Sequence, residues 1–170
     1  MIKLSYDINN YRKDLRELVK EGDVVIELGC HVGGTTRLLL DKCNVIAVDN
    51  SPEAIEEMAK LDVEFIKGDV RLHDVISEVF KKVQRCDVLA IDLGGGYHPD
   101  TVFKVFYIWS STFKPTHTII RNRGLVEFHN SVAEVKGDYR SEEGFLDSYK
   151  DSGIPPQIKE FDLWTPMPKK

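Results

Sequence analysis

Four short apolar runs rich in valine and isoleucine recur along the first half of the chain, each closing on an acid. They are DVVIEL (23–28), NVIAVD (44–49), VEFIKGD (63–69) and CDVLAID (86–92). The closing acids Glu27, Asp49, Asp69 and Asp92 follow one another at intervals of 22, 20 and 23 residues. Such runs are continuous rather than alternating, which predicts strands buried on both faces of a parallel sheet. The stretches between them read as helices. TTRLLLD (35–41) is the first. Residues 51–60 open with Ser51 as cap, Pro52 at the first helical position and Glu53 behind it. Residues 71–84 set Leu72, Val75, Ile76, Val79, Phe80 and Val83 on one helical face. A fifth unit pairs a helix over 99–113 with a strand over 116–122. Ahead of the first strand, Ile8, Tyr11, Leu15, Leu18 and Val19 form a helical stripe, with Gly22 as its C-cap. Beyond Gly124 the pattern weakens. A helix is predicted over 141–150, Pro155 and Pro156 interrupt the chain, and QIKEFDLW (157–164) alternates like an outer strand.

Repeated strand–helix units predict an α/β fold: a doubly wound, mostly parallel sheet with helices on both faces and right-handed crossovers. The 170 residues suit one domain over 1–170. With 42% apolar and 30% charged residues the composition is that of an ordinary globular chain. The net charge of -5 argues against strong non-specific nucleic-acid binding, which needs a large cationic surface. No run approaches the ~20 apolar residues of a membrane helix, and the opening residues lack the apolar core of a secretory signal. Cys30, Cys43 and Cys86 form no CxxC pair and read as reduced thiols, so the expected location is cytoplasmic. Oligomeric state is not legible.

In open parallel sheets, ligands bind outside the carboxyl ends of the strands, where strand order reverses. The four acids are predicted to lie along that rim. The first turn reads ELGCHVGGTT (27–36). Gly29 and Gly34 fit the outer places of GxGxxG, but His31 fills the middle one and would crowd a pyrophosphate. No GxxxxGK[ST] loop occurs. A ligand without phosphate, with hydroxyls, an amine and a cationic centre, suits the rim better. Asp49 can accept from ribose hydroxyls and Asp69 from an exocyclic amine, while Glu27 and Asp92 place negative charge near a cation. These requirements describe S-adenosylmethionine.

The chain resembles the class I S-adenosylmethionine-dependent methyltransferases over about residues 5–122, with a Rossmann-like fold implied. ELGCHVGGTT is similar to a first motif of the form ExGxxxGG[ST], seen in catechol-type and related small-molecule methyltransferases. VIAVDNSPEAI, FIKGDV and CDVLAIDLGGG follow as the second, third and fourth motifs. The resemblance implies that Gly29, Gly33 and Gly34 shape the turn around the methionine part of the cofactor, with Thr35 holding its carboxylate at a helix N-terminus. Cys30 and His31 are further cofactor-binding candidates in that turn, the plainer alternative for His31 being that it only fills space. Asp49 would hold ribose, with Asn50 or Ser51 at the adenine edge, and Asp69 with Val70 would frame adenine. Glu27 and Asp92 complete the set. It also implies that the sheet ends in antiparallel strands, for which 157–164 is the single good candidate.

Catechol-type enzymes that use a metal place an acid and an asparagine after strand five. Here Arg121, Asn122 and Arg123 stand there, and two arginines would repel a divalent ion, so no catalytic metal is expected. The sequence Asp92-Leu93-Gly94-Gly95 departs from the [DN]PP[YF] of nucleic-acid amino-methyltransferases. Asp92, Tyr97 and His98 are the candidate catalytic residues. The plainer alternatives are a sharp glycine turn, a packed tyrosine and a helix cap. Arg121 and Arg123 are candidate contacts for an anionic acceptor, against the alternative of pairing with Asp92 or Glu127. Trp109 reads as core, and His73, His117 and His129 show no ligand spacing. The functional expectation is metal-independent methyl transfer from S-adenosylmethionine to an unidentified acceptor, favouring a small molecule over RNA or protein. The alternatives are a non-catalytic cofactor-binding module or partner subunit, and a nicotinamide-dependent oxidoreductase, against which His31 argues.

Overall fold

The structure, a computed structural model, describes residues 1–96 and 98–133. Six strands form its sheet: β1 (Ile2–Ser5), β2 (Val24–Leu28), β3 (Asn44–Asp49), β4 (Glu64–Lys67), β5 (Val88–Ile91) and β6 (His117–Arg121). Five α-helices accompany them: α1 (Ile8–Leu18), α2 (Pro52–Met58), α3 (His73–Lys82), α4 (Pro99–Phe113) and α5 (Arg123–Ser131). The sheet order is β1-β6-β5-β2-β3-β4, and every described pairing is parallel. The expected antiparallel strand is therefore not supported by the described sheet. The segment predicted for it (157–164), like the helix predicted over 141–150, lies outside the described residues.

The apolar runs form the expected strands because each side chain has a packed layer to enter. One face carries Ile26, Leu28, Ile46, Val48, Leu89, Ile91 and Ile120 against α3 and α4, with Trp109 and Phe113 fully buried. The other carries Val25, Val45, Ala47, Val88, Ala90 and Ile119 against Tyr11, Leu15 and Val19 of α1 and Ala54 and Met58 of α2. Burying one such side chain contributes about 1.5–3 kcal/mol. Trp109 is core, as its sequence context predicts, and its indole N–H donates to the Val70 carbonyl at 2.8 Å.

Four elements differ from expectation. The edge strand β1 was not legible, since four residues with two of them exposed carry too little alternation. It pairs with β6, so α1 must run from the sheet edge back over β6 to reach β2. The helix predicted over 35–41 is a single 3-10 turn, Thr36–Leu38. Thr36 spends its hydroxyl on Glu27, and the β-branched pair Thr35-Thr36 is a weak helix opening. Helix α1 ends at Leu18 with Val19 already extended, ahead of Gly22, which makes the following turn at φ 82°. Helix α5 was missed because Gly124 interrupts its start; Asn122 caps it, accepting from the Leu125 N–H at 3.0 Å.

Candidate functional site

The chain leaves β2 for β3 and β4 on one side, then returns through β5 and β6 on the other. Order thus reverses between β2 and β5, and the loops after these two strands diverge from one crevice. A cavity of about 590 Å³ opens there. Its wall includes Gly29, Cys30, His31, Gly34 and Thr35 from the first turn, and Asp49, Asn50 and Ser51 after β3. Asp69 and Val70 after β4, Asp92 after β5 and Arg121 at the end of β6 complete it from the strand ends. Twelve residues singled out from sequence therefore share one cavity.

The turn after β2 is built around an absence of side chain. Gly29 has φ 87°, its N–H donates to the Val48 carbonyl at 2.8 Å, and a Cβ there would lie 2.0 Å from the Asp92 carbonyl oxygen. No residue but glycine fits. Gly33 also has positive φ, with the Met58 methyl 2.5 Å from where its Cβ would be; it supports the turn from outside the cavity wall. Asp49 ties the turn to α2. Its carboxylate accepts from the His31 N–H at 2.8 Å and the Ser51 N–H at 2.7 Å. The Ser51 hydroxyl is buried without a hydrogen-bond partner and lies in the cavity wall.

Glu27 does not line the cavity. It is 2% exposed beneath the turn, where its carboxylate accepts from the Thr36 hydroxyl at 2.7 Å. Its register partners across the sheet are Ala47 and Ala90, small enough to leave room for a carboxyl group. Burial pushes its pKa up to about 7, opposed by the Thr36 hydrogen bond and raised further by Asp92.

Two expected contacts are already engaged within the chain. Asp69 accepts from the Arg71 guanidinium and backbone N–H, which holds its carboxyl below the ordinary range. Asp92 and Arg121 form a two-pronged pair, with Nε 2.7 Å and Nη2 2.6 Å from the two carboxylate oxygens. Burial nevertheless raises the Asp92 pKa. For Arg121 the plainer reading, pairing with Asp92, is the one observed. His98 is an exposed left-handed cap of α4 at φ 56° and lines neither this cavity nor the neighbouring cleft. Tyr97 lies outside the described residues.

Arg12 was missed by sequence reading. In the run YRKDLRE it resembles any solvated helix charge. The path of α1 over β6 brings it onto the first turn, where its Nε donates to the Thr35 hydroxyl at 3.2 Å and its guanidinium covers Gly34. Among the described residues no carboxylate pairs with it. Thr35 therefore faces an arginine rather than the N-terminus of a long helix. No three His, Cys, Asp or Glu side chains converge among the described residues. No helix there is long and apolar enough to cross a membrane.

The FtsJ-like methyltransferase family model matches residues 3–127. The chain belongs to this family. Among solved structures it is similar to an rRNA methylase from Streptococcus thermophilus, with 14% identity, TM-score 0.50, and coverage of 72% of this chain and 77% of that one. A putative rRNA methylase from Clostridium thermocellum gives 17% identity, TM-score 0.48 and 64% of each chain. Precorrin 8W decarboxylase from Methanobacterium thermoautotrophicum gives 22%, TM-score 0.47, and 64% and 59%. At 14% identity the likeness to the Streptococcus thermophilus rRNA methylase is one of fold. The chain spans about 60% of the length of the last two. No curated protein matches it in sequence.

Proposed function

We propose that this FtsJ-like chain binds S-adenosylmethionine in the 590 Å³ cavity and transfers its methyl group to an acceptor reached from the Gly94–His98 side. The observation that carries the reading is the convergence of five strand ends on one cavity floored by a glycine that tolerates no side chain. A cofactor with a bulky nucleoside and no phosphate fits such a wall. His31, in the left-handed region at φ 45°, stands where a pyrophosphate would need open backbone.

When bound, S-adenosylmethionine supplies a methyl group on a positively charged sulfur, passed to an acceptor nucleophile while the electron pair of the broken carbon–sulfur bond stays on sulfur. The residues of this chain bind and orient. Gly29, Cys30, His31, Gly33, Gly34 and Thr35 form or support the turn around the methionine part, and Arg12 offers a cation there to an anionic group. Asp49 retains acceptor capacity for ribose hydroxyls while it fixes the turn, and Asn50 and the unpartnered Ser51 hydroxyl lie at the adenine edge. Val70 lines the cavity as an apolar wall for the base beside Asp69. Asp92 presents its carboxylate at the cavity wall with its charge offset by Arg121, and Glu27 supports the turn from beneath. Transfer requires in-line positioning, and no metal takes part in this reading.

Calorimetry with S-adenosylmethionine, its demethylated product and NAD tests the proposal. Micromolar binding of the first two and none of NAD is expected. NAD binding alone would overturn it. Transfer of radiolabelled methyl groups into a cell extract then distinguishes an enzyme from a binding module.

A further inference from the structure

Beside the cofactor cavity lies a second cleft of about 400 Å³, lined by Tyr6, Gly94–Gly96, Arg121, Arg123, Gly124 and Glu127. The two concavities share Gly94 and Arg121, so they adjoin across these two residues. The cleft's floor is bare backbone. The Arg121 guanidinium lies against Gly95 so closely that a Cβ there would fall 2.1 Å from Nη1.

The two arginines of this cleft differ in what they are free to do. Arg121 is held by both oxygens of Asp92. Arg123 sits over the Tyr6 ring at 5.1 Å from its centroid, and among the described residues no carboxylate pairs with it. Glu127 lies one helical turn further along α5 and lines the same cleft, yet makes no ion pair with Arg123. A cation stacked on an aromatic face is oriented without having its charge neutralised. Its planar fork matches the oxygens of a carboxylate or a phosphate group.

We infer that this cleft is the acceptor subsite and that it takes a carboxylate or phosphate group of the acceptor, held by Arg123 on the Tyr6 ring. The inference rests on the proposed function for its link to methyl transfer. Tyr6, which nothing in its local sequence marks out, becomes a positioning residue for Arg123. Arg121 is the wall between acceptor and cofactor rather than the anion contact. Glu127 opposes the bound anion and limits its affinity.

The test uses the full chain and the side-chain Nε–H resonances of its arginines, titrated separately with inorganic phosphate, acetate and uncharged acetamide. Phosphate or acetate should shift Arg123 with a millimolar Kd, and acetamide should not. Arg123→Ala should weaken anion binding at least tenfold, Tyr6→Leu about threefold to tenfold, and Glu127→Gln should tighten it about threefold. Arg123→Lys, which keeps the charge but loses the fork, should fall between wild type and alanine. The better of the two anions identifies the acceptor's group. Equal binding by wild type and Arg123→Ala, or anion shifts confined to Arg12, would overturn the inference. Calorimetry with the demethylated cofactor keeps the two readings apart. Cofactor binding without an Arg123 response sinks the subsite alone, whereas an Arg123 response without cofactor binding sinks the methyltransferase reading.

Discussion

Glu27→Gln should make the protein more stable at alkaline pH and slightly less stable in acid. The carboxyl group is 2% exposed, and its pKa rises from an ordinary 4.5 to about 7 chiefly because burial penalises the charge. Between these two values the folded chain keeps a proton that the unfolded chain has released. Unfolding free energy therefore falls as pH rises through this window, and the loss is complete once pH exceeds the folded value. At about 1.4 kcal/mol per pH unit the ionised carboxylate costs the fold roughly 3 kcal/mol near pH 8.5 and almost nothing near pH 4. Glutamine keeps the shape and an oxygen for the Thr36 hydroxyl but cannot ionise. Its amide nitrogen lacks an evident acceptor, which costs about 1 kcal/mol at any pH. The variant should thus gain about 2 kcal/mol near pH 8.5 and lose about 1 kcal/mol near pH 4. Urea unfolding of both proteins at the two pH values measures this. A difference between variant and parent that does not change with pH would refute the reasoning.

Gly29→Ala should destabilise by about 2 kcal/mol or more, a fall in Tm of roughly 6 °C, since its Cβ would meet the Asp92 carbonyl at 2.0 Å; an unchanged melting curve would contradict the described turn. Arg121→Ala strands a largely buried Asp92, 13% exposed in its side chain, at a cost of about 2–3 kcal/mol. Because the Asp92 pKa is already raised by burial, that loss should appear at neutral pH and shrink towards pH 4 in denaturant titrations. Asp49→Ala removes the tether to His31 and Ser51 as well as the ribose acceptor, and calorimetry should show cofactor affinity falling about tenfold to a hundredfold. Ser51→Ala, which removes a single unpartnered hydroxyl, should cost about tenfold or less.

Local pattern determined the central strands, the existence of α2, α3 and α4 between and after them (though Leu72 and Phe80 of the predicted α3 face are exposed), and the rim on which Asp49, Asp69 and Asp92 lie. It could do so because strands buried on both faces leave uninterrupted apolar runs, and because a glycine-rich turn is legible in place, although the clash that bars a side chain at Gly29 comes from Asp92 on another strand. What the side chains do was decided only by contacts between distant segments. Asp92 is 29 residues from Arg121, and nothing local announces that each neutralises the other. Glu27 lies under its turn rather than in the cavity because strand parity directs it towards α1, between two alanines supplied by other strands. Arg12 reaches the first turn because β1 joins the far edge of the sheet and sends α1 back across it. Four residues of edge strand carry almost no periodic signal, yet their parallel pairing with β6 sets the path of that helix. Sequence thus specified the rim through patterns confined to single segments. Which of its charges meets a ligand and which meets another side chain depends on separations of a few ångströms across the sheet, and these exist only once the chain has closed on itself.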